Sequence, residues 1–147
     1  MTDDERAELA RRQGELVEAL TGGGEIPSTF DEGRVRLTGR TLVRKRLRAV
    51  EKVWPAVARE MGERFETWFE EYARGCEFPG DAGQDGAGFA GFLATRGVLG
   101  DAGRIECAAW RARRGWPIRC TRVRGRFVLV VRVWGGRLRR FAFPFPG

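Results

Sequence analysis

The sequence predicts an α+β protein: an N-terminal helical domain over residues 1–115, then a small three-stranded antiparallel sheet over residues 116–147. Three observations predict it. Apolar residues recur at three- and four-residue steps through most of the chain, and after Pro117 the period changes to two. Gly125 and Gly135-Gly136 punctuate a β-branched and aromatic C-terminus, which is a tight-hairpin pattern. A chain of 147 residues can also bury roughly two-thirds of its unfolded surface, so one core forms without disulfide staples.

Residues 1–25 read as a peripheral acidic helix and loop. Asp4–Leu20 supplies only a narrow apolar stripe (Leu9, Leu16, Val17, Leu20), and Thr21 to Gly24 ends it. GGGEIPSTFDEG is a loop by its glycine and proline content, with Phe30 placed to pin it. The organising stretch is Leu37 to Gly62. Val43, Leu47, Val50, Trp54 and Val57 share one helical face, while the guanidiniums, including Arg40, Arg44 and Arg48, are expected in water beside Lys45 and Lys52. Pro55 lacks an N–H, so the helix restarts there as a short one ending at Gly62.

GERFETWFEEYARG carries Phe65, Trp68, Phe69 and Tyr72 at helical spacing, a core face that ends at Gly75. CEFPGDAGQDGAG is expected to be a flexible connection. Its glycines follow no strand and precede no Walker lysine, so it is not a phosphate loop. Phe89, Phe92 and Leu93 mark a short helix stopping at Gly97, and Asp101 is expected to cap DAGRIECAAWRARRG. Strands follow at Ile118–Arg124, Arg126–Trp134 and Arg137–Phe145. On the middle strand Phe127, Leu129, Val131 and Val133 are expected against the helices, leaving Val128, Val130, Arg132 and Trp134 as a contact surface. Pro144 and Pro146 weaken the last strand as a pairing edge, so Ile118–Arg124 is the edge open to an added strand.

Composition narrows the chemistry. There is no histidine, which excludes Ser-His and Cys-His nucleophile pairs and imidazole metal sites. Cys76, Cys107 and Cys120 are odd in number and widely spaced, neither a disulfide framework nor a zinc motif. No catalytic set and no metal site is therefore predicted. A lone-thiol enzyme would rest on Cys120 between Arg119 and Arg122. The N-terminus lacks a secretory segment and the longest apolar run, Phe127–Val131, cannot span a bilayer, so a soluble cytoplasmic protein without a membrane partner is expected.

The net charge of +7 is unevenly spread. Residues 1–32 hold nine acids against three bases, and residues 104–147 hold twelve arginines against Glu106 alone. A basic C-terminal third suits an anionic partner: an acidic peptide, an acidic protein surface or nucleic acid.

FDEGRVRLTGRTLVRKRLRAVEKVWPAV, GERFETWFEEYA, DGAGFAGFL and DAGRIECAAWRARRG stand in the order and spacing of a family often labelled a DNA-binding domain. Its members resemble partner proteins of multinuclear non-heme iron-dependent oxidative enzymes, which modify cysteine-containing precursor peptides as in methanobactin and bufferin biosynthesis. The resemblance covers roughly residues 26–115. It implies a non-catalytic partner subunit with no cofactor of its own, iron belonging to the enzyme. It also implies a heterodimer with that enzyme and a precursor leader held by strand addition. On this sequence the expected peptide site is Ile118, Arg119, Cys120, Thr121, Arg122, Val123 and Arg124, with Val130, Arg132 and Trp134. The alternative is a nucleic-acid-binding module acting through its arginines, although no helix-turn-helix, zinc finger or ribonucleoprotein motif is present.

Overall fold

The computed structural model describes residues 2–22 and 31–144. Among the described residues six helices precede the sheet: α1 (Asp3–Gly22), α2 (Glu32–Val53), α3 (Pro55–Met61), α4 (Arg64–Arg74), α5 (Ala82–Thr95) and α6 (Asp101–Arg114). The strands β1 (Ile118–Val123), β2 (Arg126–Arg132) and β3 (Leu138–Pro144) form an antiparallel meander in chain order. The fold is α+β. Of the expected loop, Gly22 still belongs to α1, Asp31 caps α2 and Glu32 and Gly33 begin it; residues 23–30, with the Phe30 pin, and Phe145 lie outside the described residues.

The restart at Pro55 organises the body. Trp54 ends α2 and Pro55 takes the first position of α3, where its missing N–H costs nothing. Trp54 is buried, and its indole N–H donates to the Gly83 carbonyl at 3.2 Å. Val50, Val57, Phe65, Phe69, Phe89 and Leu93 close the core around it. Phe89 meets Phe65 and Phe69 edge to face at 5.5 and 5.2 Å, the geometry that ring quadrupoles favour. The polar helix α1 lies against α2 and α4, with Leu9 and Val17 still exposed.

Of the expected connection, residues 76–81 are irregular, but residues 82–88 form instead the first half of α5. Asp81 caps it, accepting from the Gln84 N–H at 2.7 Å. Its glycines are steric rather than conformational: a Cβ at Gly86 would stand 2.2 Å from the Trp54 ring, and one at Gly88 2.5 Å from the Tyr72 hydroxyl. Close helix approach therefore outweighs the low helix propensity of glycine. A second correction concerns Arg46. It does not reach water but lies buried, donating to Asp85 at 3.0 Å (Nε to Oδ2) and 2.9 Å (Nη2 to Oδ1).

α3 and α6 cap each other. Ala56 and Val57 N–H groups at the start of α3 donate to Glu106 of α6. Ala102 and Gly103 N–H groups at the start of α6 donate to Glu60 of α3. Asp101 is consequently not the cap: Gly100 holds that position, and Asp101 pairs with Arg124 instead.

The sheet rests on α6 with the opposite face to the one expected. Val128 and Val130 are buried against Ala108, Ala109 and Ala112, whereas Phe127 and Val133 are exposed. A period of two separates two faces but does not say which is inward. The alanines of α6 settle it, because their short side chains let the sheet come close with valine-sized residues between. The strands are also one or two residues shorter than expected, Trp134–Gly136 forming a separate 3-10 turn.

Candidate functional site

Among the described residues β1 is an edge strand whose one strand neighbour is β2. The Arg132 N–H donates to the Pro117 carbonyl at 2.7 Å. Antiparallel alternation then turns the backbone groups of Arg119, Thr121 and Val123 toward β2, and those of Ile118, Cys120 and Arg122 outward. The two-residue turn Arg124-Gly125 fits this register, both residues having positive φ (47° and 73°) as a type I′ hairpin requires. The glycine is placed for that conformation; Arg124 is held in it while its Nε donates to Asp101 at 3.1 Å.

The side chains divide by the same alternation. Arg119, Thr121 and Val123 face α6 and are half-buried, while Ile118, Cys120 and Arg122 face away and are exposed. The outward face continues through Leu129 and Val131 to Phe141 and Phe143, which are 47% and 52% exposed. It is an apolar strip flanked by Arg122 and Arg139, large for one side of so small a sheet.

Beside the β1 edge lies a groove of about 190 Å³, bounded by α5 (Ala90, Ala94), α6 (Arg104, Cys107, Arg111) and β1 (Arg119 to Thr121). Arg119 lies against Gly115, where a Cβ would come within 3.1 Å of its Nη2. Its Nε is buried and has no hydrogen-bond partner among the described residues. Arg104 Nε donates to the Leu99 carbonyl at 3.2 Å. Burial pushes the Cys107 thiol up to about 11, so at neutral pH it is a protonated, poorly nucleophilic group.

Of the ten expected site residues, the structure gathers Ile118 to Val123 into one edge. Arg124 stands at its end in the turn. Val130 is a correction: it is fully buried under α6 and cannot meet a ligand. Arg132 is half-buried, with Nη1 donating to the Arg113 carbonyl. Trp134 is fully exposed but belongs to the 3-10 turn, not the strand face. Arg104, Cys107 and Arg111 were missed as lining residues. The signal for them was present, since steps of three and four put all three on one stripe of α6.

A larger groove of about 330 Å³ runs between α3, α6 and β3 past Arg59, Glu106, Trp110, Arg113 and Arg140, but its single acid is occupied in capping α3. The buried Arg46–Asp85 pair also receives the Tyr72 hydroxyl at 3.1 Å, and Arg46 Nη1 donates to the Cys76 carbonyl. Burial and the Asp85 charge raise the Tyr72 pKa, which keeps the phenol a donor. Each group there is satisfied and enclosed, as in a structural tie rather than a reactive centre. Among the described residues no group of three or more Cys, Asp or Glu could hold a metal ion, and no helix is long and apolar enough to cross a membrane.

A family described as SCO6045-like, C-terminal domain, matches residues 10–95, which run from within α1 to the end of α5. A UPF0276 protein of Streptomyces avermitilis is 33% identical over 116 residues, 78% of this chain but 24% of that protein. The chain thus spans about a quarter of that relative's length. No solved structure matches.

Proposed function

We propose a partner role for this chain, which belongs to the SCO6045-like C-terminal domain family: it holds an extended peptide along β1 for a larger catalytic protein. The observation that carries the reading is the β1 edge, unpaired among the described residues, with an arginine-lined groove directly beside it. An open edge offers main-chain hydrogen bonds to a ligand whatever its sequence, and the neighbouring groove adds selectivity. The relative supports a larger companion, because the matching part is only 24% of it and the remainder is room for another body.

The resemblance drawn from the helical motifs supplies the identity of that companion: a multinuclear iron-dependent oxidative enzyme acting on a cysteine-containing precursor peptide. Iron then resides in the companion and not in this chain. The apolar outer strip, Leu129, Val131, Phe141 and Phe143, is the face on which the enzyme would seat. Exposed ion pairs add only about 0–1 kcal/mol each, so affinity rests on backbone pairing and apolar burial. The setting is the cytoplasm, where both enzyme and unmodified peptide would be found.

Affinity capture of this chain from its native cell, followed by size-exclusion chromatography with the captured enzyme and peptide, tests the reading. Co-elution of the three, with amide exchange slowed at Ile118 and Cys120, is expected. Separate elution of chain and enzyme, with or without peptide, would overturn it.

A nucleic-acid role is the second reading, favoured by Arg40, Arg44, Lys45, Arg48 and Lys52 on exposed positions of α2. It requires duplex or single-strand retention at low salt that weakens steeply as ionic strength rises.

A further inference from the structure

We propose that the groove between α5, α6 and β1 is a carboxylate pocket. The segment added along β1 then presents an aspartate or glutamate toward the helices and apolar side chains outward. The pattern of the segment rests on the strand-addition reading above; the carboxylate preference rests on the groove alone.

The first ground is charge. Arg104, Arg111 and Arg119 line the groove, and among the described residues none that lines it is acidic. Cys107 does not add a negative charge, because its thiol keeps its proton. The second ground is the Arg119 Nε, a buried donor with no acceptor among the described residues. A buried donor left unmade is costly, and a guanidinium is best satisfied by a carboxylate that takes two of its N–H groups at once. The third is size. At about 190 Å³ the groove is smaller than the roughly 300–1,000 Å³ of pockets that enclose whole small molecules. It suits one side chain.

Register supplies the rest. An added strand places every second side chain on the face of Arg119 and Thr121, over the groove. The alternate side chains join the face of Ile118 and Cys120, which continues into Leu129 and Phe141. An alternation of acidic and apolar residues therefore fits both faces, and the reverse phase would set a carboxylate on apolar surface and leave Arg119 unmet.

The test uses the full chain and two synthetic peptides of seven residues, acetylated and amidated. One alternates valine with glutamate and the other valine with glutamine. We expect the glutamate peptide to bind at least tenfold more tightly, to shift the Arg119 Nε–H resonance, and to slow exchange at Ile118 and Cys120. R119M should level the two peptides, whereas R122M, on the outer face, should leave most of the preference. Equal binding by both peptides with the edge amides protected would overturn the carboxylate pocket and leave strand addition standing. If neither peptide protects the edge but N-acetylglutamate amide shifts the Arg119 Nε–H and its glutamine counterpart does not, the pocket stands and strand addition fails. No shift with any carboxylate probe sinks the pocket. The wild-type comparison needs no variant to fold.

Discussion

The helical body and the sheet are built to different standards. The body buries Trp54, Phe65, Phe69, Tyr72, Phe89 and Leu93 around a satisfied Arg46–Asp85 pair. Among the described residues the sheet is held by five buried ones, three of them the alanines of α6, with Ile105, Val123 and Leu138 partly buried against them, and every β3 residue after Leu138 is exposed. Aromatic burial gives the body its own stability; the sheet has one helix behind half of it and an apolar face in front. A region so thinly backed leans on few buried side chains, and it is where the proposed peptide and enzyme contacts fall.

The largest test falls on the body. Asp85→Ala strands the Arg46 guanidinium in the core and should cost about 3–5 kcal/mol, read by urea denaturation. Replacing both members with apolar residues should return much of that loss. If the single variant proves mild, the body is less tightly built than the contrast claims.

Val130→Ala is the matching cut in the sheet, expected to cost about 2 kcal/mol through lost methyl burial. Hydrogen exchange should speed up across β1 and β2 while α4 and α5 keep their protection. Equal acceleration everywhere would show that sheet and body unfold as one unit.

A smaller effect lies with pH. An unfolded thiol ionises near 9.0, and Cys107 holds its proton to about 11. Between those values the unfolded state binds fewer protons, so stability falls as pH rises; below pH 9 the contribution is fully present. Discounted for the solvent that still reaches this thiol, the loss is about 1 kcal/mol, and Cys107→Ala should remove it. Iodoacetamide should label exposed Cys120 well before Cys107.

The smallest change in stability should come from Phe141→Glu and Phe143→Glu, within about 0.5 kcal/mol because both side chains are exposed. On the proposed partner role their effect falls on association: co-elution with the proposed enzyme should be lost while peptide binding at the β1 edge persists. Unimpaired co-elution would move the enzyme's seat elsewhere.

Local pattern made most of this legible. The Pro55 restart, the aromatic face of α4 and the two glycine-marked chain reversals of the sheet each depend on residues close in sequence, and each stands where its spacing placed it. α5 was misread because the reason for its glycines lies 32 residues away, on Trp54. Arg46 was misread for a similar reason: nothing in α2 distinguishes it from the exposed arginines until Asp85 arrives 39 residues later. The edge strand was readable, but its groove was not. That needed α5 and α6 to be set side by side, which periodicity does not encode.

The exchange of glutamates between α3 and α6 has a mechanical result. Glu60 secures the first turn of one helix and Glu106 the first turn of the other, so loosening either start slackens its counterpart. Substituting both should then cost a different amount from the two single losses added together. Since α6 is also the sheet's backing, the clasp ties the support of the β1 edge to the Pro55 corner.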